Sequence, residues 1–438
     1  MDKGIKLAKN NKDILYMAYM HKGNSLFYIG KKLEGIALVD EAIKINPKDW
    51  GAYLTKGALL MESSKYEEAK ALFEKVIEID PANAMAYADK AATLVDLGNY
   101  EECIENCNKA YSLNKEKLNS INSIIYINKA AAYVGLEQYD KANEAADRAI
   151  KADPSEPMAY VNKAASLLGT DEFDESLELI NQALELSPDS GMIYANRGTI
   201  LVNKKKYKDA LEDCDKAIEL EPDNTETVAM AYANKGYAYI NMEEIKKALE
   251  FSNKVMKLNP KNKRTLVTAY INKSIIFRYE GEYSEALELA EKAIEISPKT
   301  GNCYANKGLA LIGLNKNQDA LNAAEKVIEI NPDNYLGHYV KGLALENAGE
   351  LEEALESLNK SLMLDPDFSE AKTSKEAVLG KIAMKKFLSI LGIIVIIGLI
   401  SAVVIILIIK RKRRNNSNNY PNNYPNNYPN DFYNGMGQ

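Results

Sequence analysis

Prolines recur along this chain at a nearly constant interval, and this interval restricts the fold more than any other feature. Five of the intervals are 34 residues, two are 38, and the gap from Pro81 to Pro154 fits two repeats if Lys115 takes a missing proline's place. Proline cannot continue a helix, so each one predicts a helix end and a turn into the next unit. About ten repeats therefore end at Pro47, Pro81, Pro154, Pro188, Pro222, Pro260, Pro298, Pro332 and Pro366.

Each repeat has the same internal order of side chains. An aromatic residue stands 28 positions before the proline position, a small residue follows four positions later, and from the second repeat on another small residue comes twelve positions after that. Antiparallel helices approach closely only where side chains are small, so this order predicts a helical hairpin that needs stacked neighbours to bury its apolar faces. The aromatic residues are Tyr19, Tyr53, Tyr87, Tyr126, Tyr160, Tyr194, Tyr232, Tyr270 and Tyr304.

The repeat length, the aromatic and small residues and the closing proline together resemble the tetratricopeptide repeat family. The resemblance implies an all-α fold, a right-handed superhelical solenoid of about ten helix-turn-helix units whose first helices line a concave groove. We expect a lead-in helix over residues 1–15, the solenoid over 16–367 and a capping helix over 368–386. A transmembrane helix over 387–409 and a basic, then Asn/Tyr/Pro-rich disordered tail over 410–438 would follow.

Three joints between repeats carry four or five extra residues, within 116–124, 225–230 and 263–268. Four residues make about one helical turn, so the first helix that follows each joint should be a turn longer while its faces stay in register. These longer helices would project at one end of the stack. They are either local contact points or simple spacers.

Six consecutive repeats carry asparagine two positions after the aromatic, on the side of the first helix expected to face the groove. An amide offers donors and an acceptor, so one per repeat can hold the backbone of an extended peptide. Methionines 158, 192 and 230 lie four positions before three of these sites and would adapt to varied partners. The pattern resembles the asparagine ladder of peptide-binding family members, although asparagine is also common here and can simply bond to neighbouring helices. The predicted peptide-binding residues are Asn128, Asn162, Asn196, Asn234, Asn272 and Asn306.

A cation follows the ladder position in all ten repeats, where the family more often has leucine. Lysine can bury its stem and keep its charge in water, so we expect pairing with acids on a neighbouring helix, such as Glu67 and Glu68, rather than a cationic binding stripe. The residues with which chaperone adaptors of the family clamp a terminal carboxylate are absent here apart from Asn24, so that activity is not expected. The cations are Lys22, Lys56, Lys90, Lys129, Lys163, Arg197, Lys235, Lys273, Lys307 and Lys341.

The apolar run 387–409 contains 23 residues and no charge. As a helix it would span about 34 Å, which is enough for a hydrocarbon core of about 30 Å, so it predicts a single-pass anchor in the lipid bilayer. Five cations after the run against three before it favour a cytoplasmic C-terminus. The absence of a secretory signal and the few cysteines favour a cytoplasmic solenoid instead, and this is the orientation we expect.

Few residues in this chain suit catalysis or metal binding. There are two histidines and four cysteines, and the Cys103–Cys107 spacing fits packing on one helix face better than a metal site. No phosphate-binding loop, HExxH or GxSxG motif is present, and a chain of net charge −7 is a poor partner for nucleic acid. We expect no enzymatic activity, no cofactor, no metal and no nucleic-acid partner.

The sequence thus predicts a membrane-anchored protein–protein interaction scaffold that binds extended peptide segments of partner proteins in its concave groove. The alternative is a self-assembling structural component of a membrane or envelope complex without a specific peptide ligand, and a homo-oligomer is compatible with either. An enzymatic role would need a catalytic subunit on another chain.

Overall fold

The computed structural model describes residues 11–114 and 119–417. Lys115, most of the lead-in segment 1–15 and the tail from residue 418 lie outside the described residues. The lead-in helix, the repeat end at Lys115 and the disordered tail therefore stay predictions. The chain divides into two compact units, Met1–Val340 and Lys341–Gln438. Within the described residues there are 21 helices and no strand, as the repeat pattern predicted.

Twenty of the helices form ten consecutive pairs. The first helices are α1 (Lys12–Tyr28), α3 (Trp50–Met61), α5 (Ala84–Asp96), α7 (Asn119–Gly135), α9 (Pro157–Gly169), α11 (Gly191–Asn203), α13 (Thr225–Asn241), α15 (Lys263–Glu280), α17 (Gly301–Gly313) and α19 (Tyr335–Ala348). The second helices are α2 (Lys32–Ile45), α4 (Tyr66–Ile79), α6 (Tyr100–Asn114), α8 (Tyr139–Ala152), α10 (Phe173–Leu186), α12 (Tyr207–Leu220), α14 (Ile245–Leu258), α16 (Tyr283–Ile296), α18 (Asn317–Ile330) and α20 (Leu351–Leu364).

The prolines end second helices, as their spacing predicted. Helix α4 ends at Ile79, and Pro81 follows its C-cap residue Asp80. Two residues later the side chain of Asn83 accepts a hydrogen bond from the Ala86 backbone N–H at 3.0 Å, which caps the start of α5. A proline followed two residues later by a capping asparagine therefore ends one repeat and starts the next.

The turn inside every hairpin contains one residue with a left-handed backbone, and the sequence pattern did not reveal it. This residue is glycine in four turns, where positive φ carries no steric penalty. The other six turns use a residue with a side chain in the same conformation. The ten residues are Gly30, Ser64, Gly98, Glu137, Asp171, Lys205, Glu243, Gly281, Asn315 and Gly349.

The close contact between helices depends on small residues, as expected. Ala69, Ala142 and Ala210, at the second small position, are all buried. The tyrosine that begins a second helix packs where the next first helix ends on glycine. A Cβ built on Gly135 would lie 2.3 Å from Cζ of Tyr100, so only a hydrogen fits at that position.

The predicted extra turns are present at the starts of first helices. Helix α13 has 17 residues and α15 has 18, against 13 in α11. Helix α7 also has 17 residues, although part of the joint before it lies outside the described residues. Inserted residues have therefore lengthened helices rather than loops.

The last helix, α21 (Ser369–Ser417), is continuous through the stretches expected to form a capping helix and a membrane span. Its beginning packs against α20, and Ala371 and Val378 are buried there. The stretch Ser369–Asn415 is the one segment of the described chain that is long and apolar enough to cross a membrane, with a mean hydropathy of 3.4 in its most apolar part and none of that part buried. It is a candidate membrane anchor.

Candidate functional site

The predicted ladder lies on the first helices, but it is mostly covered. Five of the six asparagines are buried, and Asn272 has no exposed surface. Asn196 is half-buried. The ladder residues therefore lie mostly in the contacts between successive first helices and not on an open surface of the groove.

Four ladder amides donate hydrogen bonds to the first helix of the preceding repeat. In each case the acceptor is the carbonyl oxygen of the residue that precedes that repeat's own ladder position. These bonds join consecutive repeats directly, from the amide of one repeat to the main chain of the one before it, and give each mostly covered amide a partner. The pairs are Asn128 to Ala88 (3.0 Å), Asn162 to Ile127 (3.0 Å), Asn234 to Ala195 (2.9 Å) and Asn272 to Ala233 (3.0 Å).

The other two ladder amides turn back onto their own helices. Asn196 donates to the Met192 carbonyl at 2.9 Å, and Asn306 donates to the Asn302 carbonyl at 2.9 Å. These two amides can change rotamer without breaking a bond between repeats. The geometry thus gives four ladder residues a structural task, while peptide contact by any ladder residue stays a prediction.

Five of the ten cations that follow the ladder position pair with an acid of the preceding repeat. Four lysines reach back 16 residues to a carboxylate on the preceding second helix. Lys90 also pairs at 3.1 Å with Glu102, which belongs to an acidic pair at the start of a second helix, as Glu67 and Glu68 do. Arg197 instead holds both carboxylate oxygens of Asp213 in its own repeat, each at 2.7 Å. The expected pairing is present, with partners the sequence did not identify. The four pairs are Lys56–Asp40 (2.6 Å), Lys90–Glu74 (3.0 Å), Lys163–Asp147 (2.9 Å) and Lys307–Glu291 (2.8 Å).

The four cysteines pack as small apolar side chains. All are buried and unpaired, and the Sγ atoms of Cys103 and Cys107 are 4.0 Å apart inside the core. Burial raises the pKa of the Cys214 and Cys303 thiols to about 12, which keeps both in the unreactive protonated form. The described residues contain no group of three or more His, Cys, Asp or Glu side chains that could hold a metal ion.

Repeats far apart in sequence meet within the first unit. The ammonium of Lys261 donates to the Ser64 carbonyl and lies 5.1 Å from the centre of the Tyr66 ring. The Thr300 hydroxyl donates to the Glu137 carboxylate at 3.0 Å. The left-handed turns of early repeats therefore touch the joints that precede later first helices, including the lengthened α15.

A cavity of about 730 Å³ lies beside these contacts. One side comes from repeats one to three and the other from α11, α13 and the joints around them, so we call it the inter-turn cavity. Two of the methionines that the sequence placed in the groove, Met192 and Met230, line it together with Met61. Its polar lining was not predicted, because the residues from its two sides lie at least 96 positions apart in the chain. The carboxylates in the lining are Glu62, Asp96, Glu221, Asp223 and Glu226, and the cations are Lys32 and Lys261.

Two aspartates of α5 have strongly shifted acidities. Partial desolvation by the surrounding protein, and then the charge of Glu226, raise the pKa of Asp96 to about 6, although its side chain keeps exposed surface. Burial raises the pKa of Asp89 to about 7. Asp89 occupies the ladder position of the third repeat, so a carboxylate stands there in place of the amide that later repeats carry. Loss of hydration disfavours the charged form of both groups.

Tetratricopeptide repeat models match residues 20–84, 60–110, 127–191, 192–224, 229–262, 267–300 and 306–367. No curated protein sequence matches the chain. Among solved structures the chain resembles the APC/C hetero-tetramer Cut9–Hcn1, at 11% identity and a TM-score of 0.53, with 86% of this chain and 92% of that chain covered.

Two further structures are similar at lower scores. Yeast Tom70 aligns at 14% identity and a TM-score of 0.38, with 86% of this chain and 97% of that chain covered. The TPR domain of P58(IPK) aligns at 16% identity and a TM-score of 0.30, with 84% and 99% covered. The chain belongs to the tetratricopeptide repeat family.

Proposed function

We propose that this protein is a membrane-anchored interaction scaffold that binds extended segments of partner proteins along its first helices. The observation that carries the proposal is the inter-turn cavity. It has a volume of about 730 Å³ and is lined by parts of first and second helices, the joints between repeats and three methionines. Repeat arrays of this kind present long surfaces built from one helix per unit, which suits extended ligands better than compact ones.

The ladder asparagines are the proposed contacts to the peptide backbone. An amide nitrogen carries two hydrogens, and Asn128 and Asn162 each use one for the bond between repeats. Asn196 is the best placed of the six, because it is half-buried and bonded only within its own helix. Asn306 shares that bonding but is more covered.

We further propose that α21 spans the bilayer once, through residues 387–409, with the solenoid in the cytoplasm. The side chains of this stretch are exposed along its length, as Phe387, Ile397 and Leu407 show. Such a surface is stable in hydrocarbon and unfavourable in water. Lys381 forms an ion pair with Glu346 at 2.8 Å, before the apolar stretch begins.

Photocrosslinking and capture of partners by the full-length protein in its membrane tests the ladder contacts. Asn196→Ala should lower the yield of captured partners. Asn106→Ala is the matched control, because Asn106 is also half-buried and donates to the carbonyl four residues earlier, but lies on the second helix α6. Recovery of the same partners in the same yield from both variants contradicts the assignment.

Protease protection tests the orientation. Protease added outside intact cells should leave the solenoid uncut and remove it only after the membrane is opened. Digestion of the solenoid from outside would place it on the other face. Mass measurement of the detergent-solubilised protein distinguishes the structural alternative, which requires a stable oligomer that covers the groove.

A further inference from the structure

We infer that the inter-turn cavity selects one class of ligand: an extended protein segment that carries lysine or arginine side chains beside aliphatic ones. The inference rests on the proposed function, because it names the occupant of the cavity that supports that function. It follows from the charge, the bonding and the apolar lining of the cavity.

The lining is acidic, and its two cations are already engaged. Five carboxylates face two lysines. Lys261 donates its ammonium to the Ser64 carbonyl, and the Lys32 ammonium lies 5.6 Å from the centre of the Phe27 ring. Neither lysine forms an ion pair with a carboxylate of the cavity within the described residues. The negative charge of the lining is therefore left for a ligand to balance.

Three of the carboxylates hold neutral donors. Glu226 accepts from the backbone N–H groups of Lys261 and Asn262, at 2.8 and 3.1 Å. Glu62 accepts from the Tyr28 hydroxyl at 2.7 Å, and Glu221 accepts from the Met192 backbone N–H at 3.1 Å. These bonds fix the carboxylates in place without neutralising them, which is the arrangement that favours an incoming cation.

The other two carboxylates have no such donor. The side chains of Asp96 and Asp223 make no hydrogen bond or ion pair with any part of the chain that the structure describes. The Asp96 side chain keeps exposed surface, so an incoming cation can reach it. The charge of Glu226 is the second cause, after desolvation, of the raised pKa of Asp96. A guanidinium or ammonium group in the cavity would stabilise the charged form of Asp96.

The apolar part of the lining sets the second requirement. Met61, Met192, Met230 and Leu220 lie in the same cavity as the acids. Thioether side chains adjust to aliphatic groups of different shape. They therefore favour an aliphatic side chain of the ligand without selecting one residue type. A purely charged ligand would leave this surface in water, and a purely aliphatic one would leave the acids unpaired.

The test uses the full-length protein in neutral detergent micelles and two fluorescent twelve-residue peptides, one of lysine, leucine and serine and one with glutamate in place of every lysine. Fluorescence anisotropy should show binding of the lysine peptide only, with an affinity that falls as salt is raised. Binding of both peptides with equal affinity, or of neither, overturns the inference.

A pair of double variants locates the binding. Asp96→Lys with Asp223→Lys should weaken binding of the lysine peptide by about tenfold or more, because each reversal replaces attraction by repulsion. The control, Glu105→Lys with Glu185→Lys, makes the same change in net charge at exposed positions on α6 and α10 and should leave the affinity nearly unchanged. An equal loss in both variants shows that only net charge matters and overturns the assignment. Unchanged helical circular dichroism verifies that both variants fold.

Crosslinking then separates this inference from the proposed function. Met230→p-benzoylphenylalanine places a photoreactive group in the cavity, and Ile127→p-benzoylphenylalanine places one on α7 beside the ladder, outside the cavity lining. Crosslinks to the lysine peptide from position 230 support the inference. Crosslinks from position 127 alone overturn it and leave the scaffold function standing. Capture of natural partners, tested with Asn196→Ala, does not depend on either result.

Discussion

The ladder asparagines offer a direct measure of how much the bonds between repeats stabilise the solenoid. Asn234 and Asn272 occupy equivalent positions in adjacent repeats and are both buried. The Asn234 amide nitrogen donates to the Ala195 carbonyl at 2.9 Å and to the Thr199 hydroxyl at 3.0 Å, and its oxygen lies 3.3 Å from the same hydroxyl. The Asn272 amide donates only to the Ala233 carbonyl, and its oxygen is buried without a hydrogen-bond partner. Replacement by alanine should therefore have different effects at the two sites.

The expected difference follows from the bonds that each substitution removes. Asn234→Ala loses two hydrogen bonds, each with a net contribution of about 0.5–1.5 kcal/mol, so local stability should fall by about 1–3 kcal/mol. Asn272→Ala loses one such bond but also removes an unpartnered acceptor whose burial is unfavourable by about 1–3 kcal/mol, so its net effect should be near zero or slightly stabilising. The order of the two effects is the prediction.

Amide hydrogen exchange measures this quantity, because a repeat array opens locally rather than as one unit. The free energy of local opening should fall in α11 and α13 for Asn234→Ala and stay nearly constant in α13 and α15 for Asn272→Ala. The reasoning is refuted if Asn272→Ala destabilises its repeat as much as Asn234→Ala does.

Three further predictions concern packing, pH and the contact between distant repeats. Gly135→Ala should destabilise α7 by about 1–3 kcal/mol, since the new methyl group meets the Tyr100 ring, and a thermal melt measures it. The raised pKa of Asp89, about 7, means that stability is lost as pH rises from about 4 to above 7, so Asp89→Asn should raise the melting temperature at pH 8 and change it little at pH 4. Lys261→Ala removes the bond to Ser64, and small-angle scattering should then show a larger radius of gyration.

Each of these predictions has a contrary outcome that would count against its physical basis. An unchanged melt for Gly135→Ala would mean that the Tyr100 ring moves aside freely. Equal shifts at pH 4 and pH 8 for Asp89→Asn would mean that the carboxylate is not desolvated. An unchanged radius for Lys261→Ala would mean that other contacts hold the distant repeats together.

The helices and their pairing could be predicted from the sequence because they depend on residues close together in the chain. A proline ends a helix locally, and four inserted residues add a turn to the helix that contains them, as α13 and α15 show. The length and composition of the apolar run 387–409 likewise predict a membrane-spanning helix from local sequence alone. These features need no knowledge of how the repeats are arranged in space.

The ladder was found at the right positions, but its bonding could not be derived from its spacing. One amide per repeat fits both a peptide backbone and the carbonyl of the preceding helix, and the choice depends on how closely consecutive first helices approach. Asn128 and Asn196 occupy the same position in their repeats and bond differently, one to the preceding repeat and one to its own helix.

The sequence by itself therefore determined the repeat, the number of hairpins, the lengthened helices and the apolar span. Only the tertiary structure decided what the repeats enclose. The rotation from each hairpin to the next is small, and it accumulates over several repeats until Ser64 meets Lys261 and Asp96 approaches Glu226. The sequence of one repeat does not show this accumulated rotation. The inter-turn cavity and its acidic lining are therefore seen only in the folded chain.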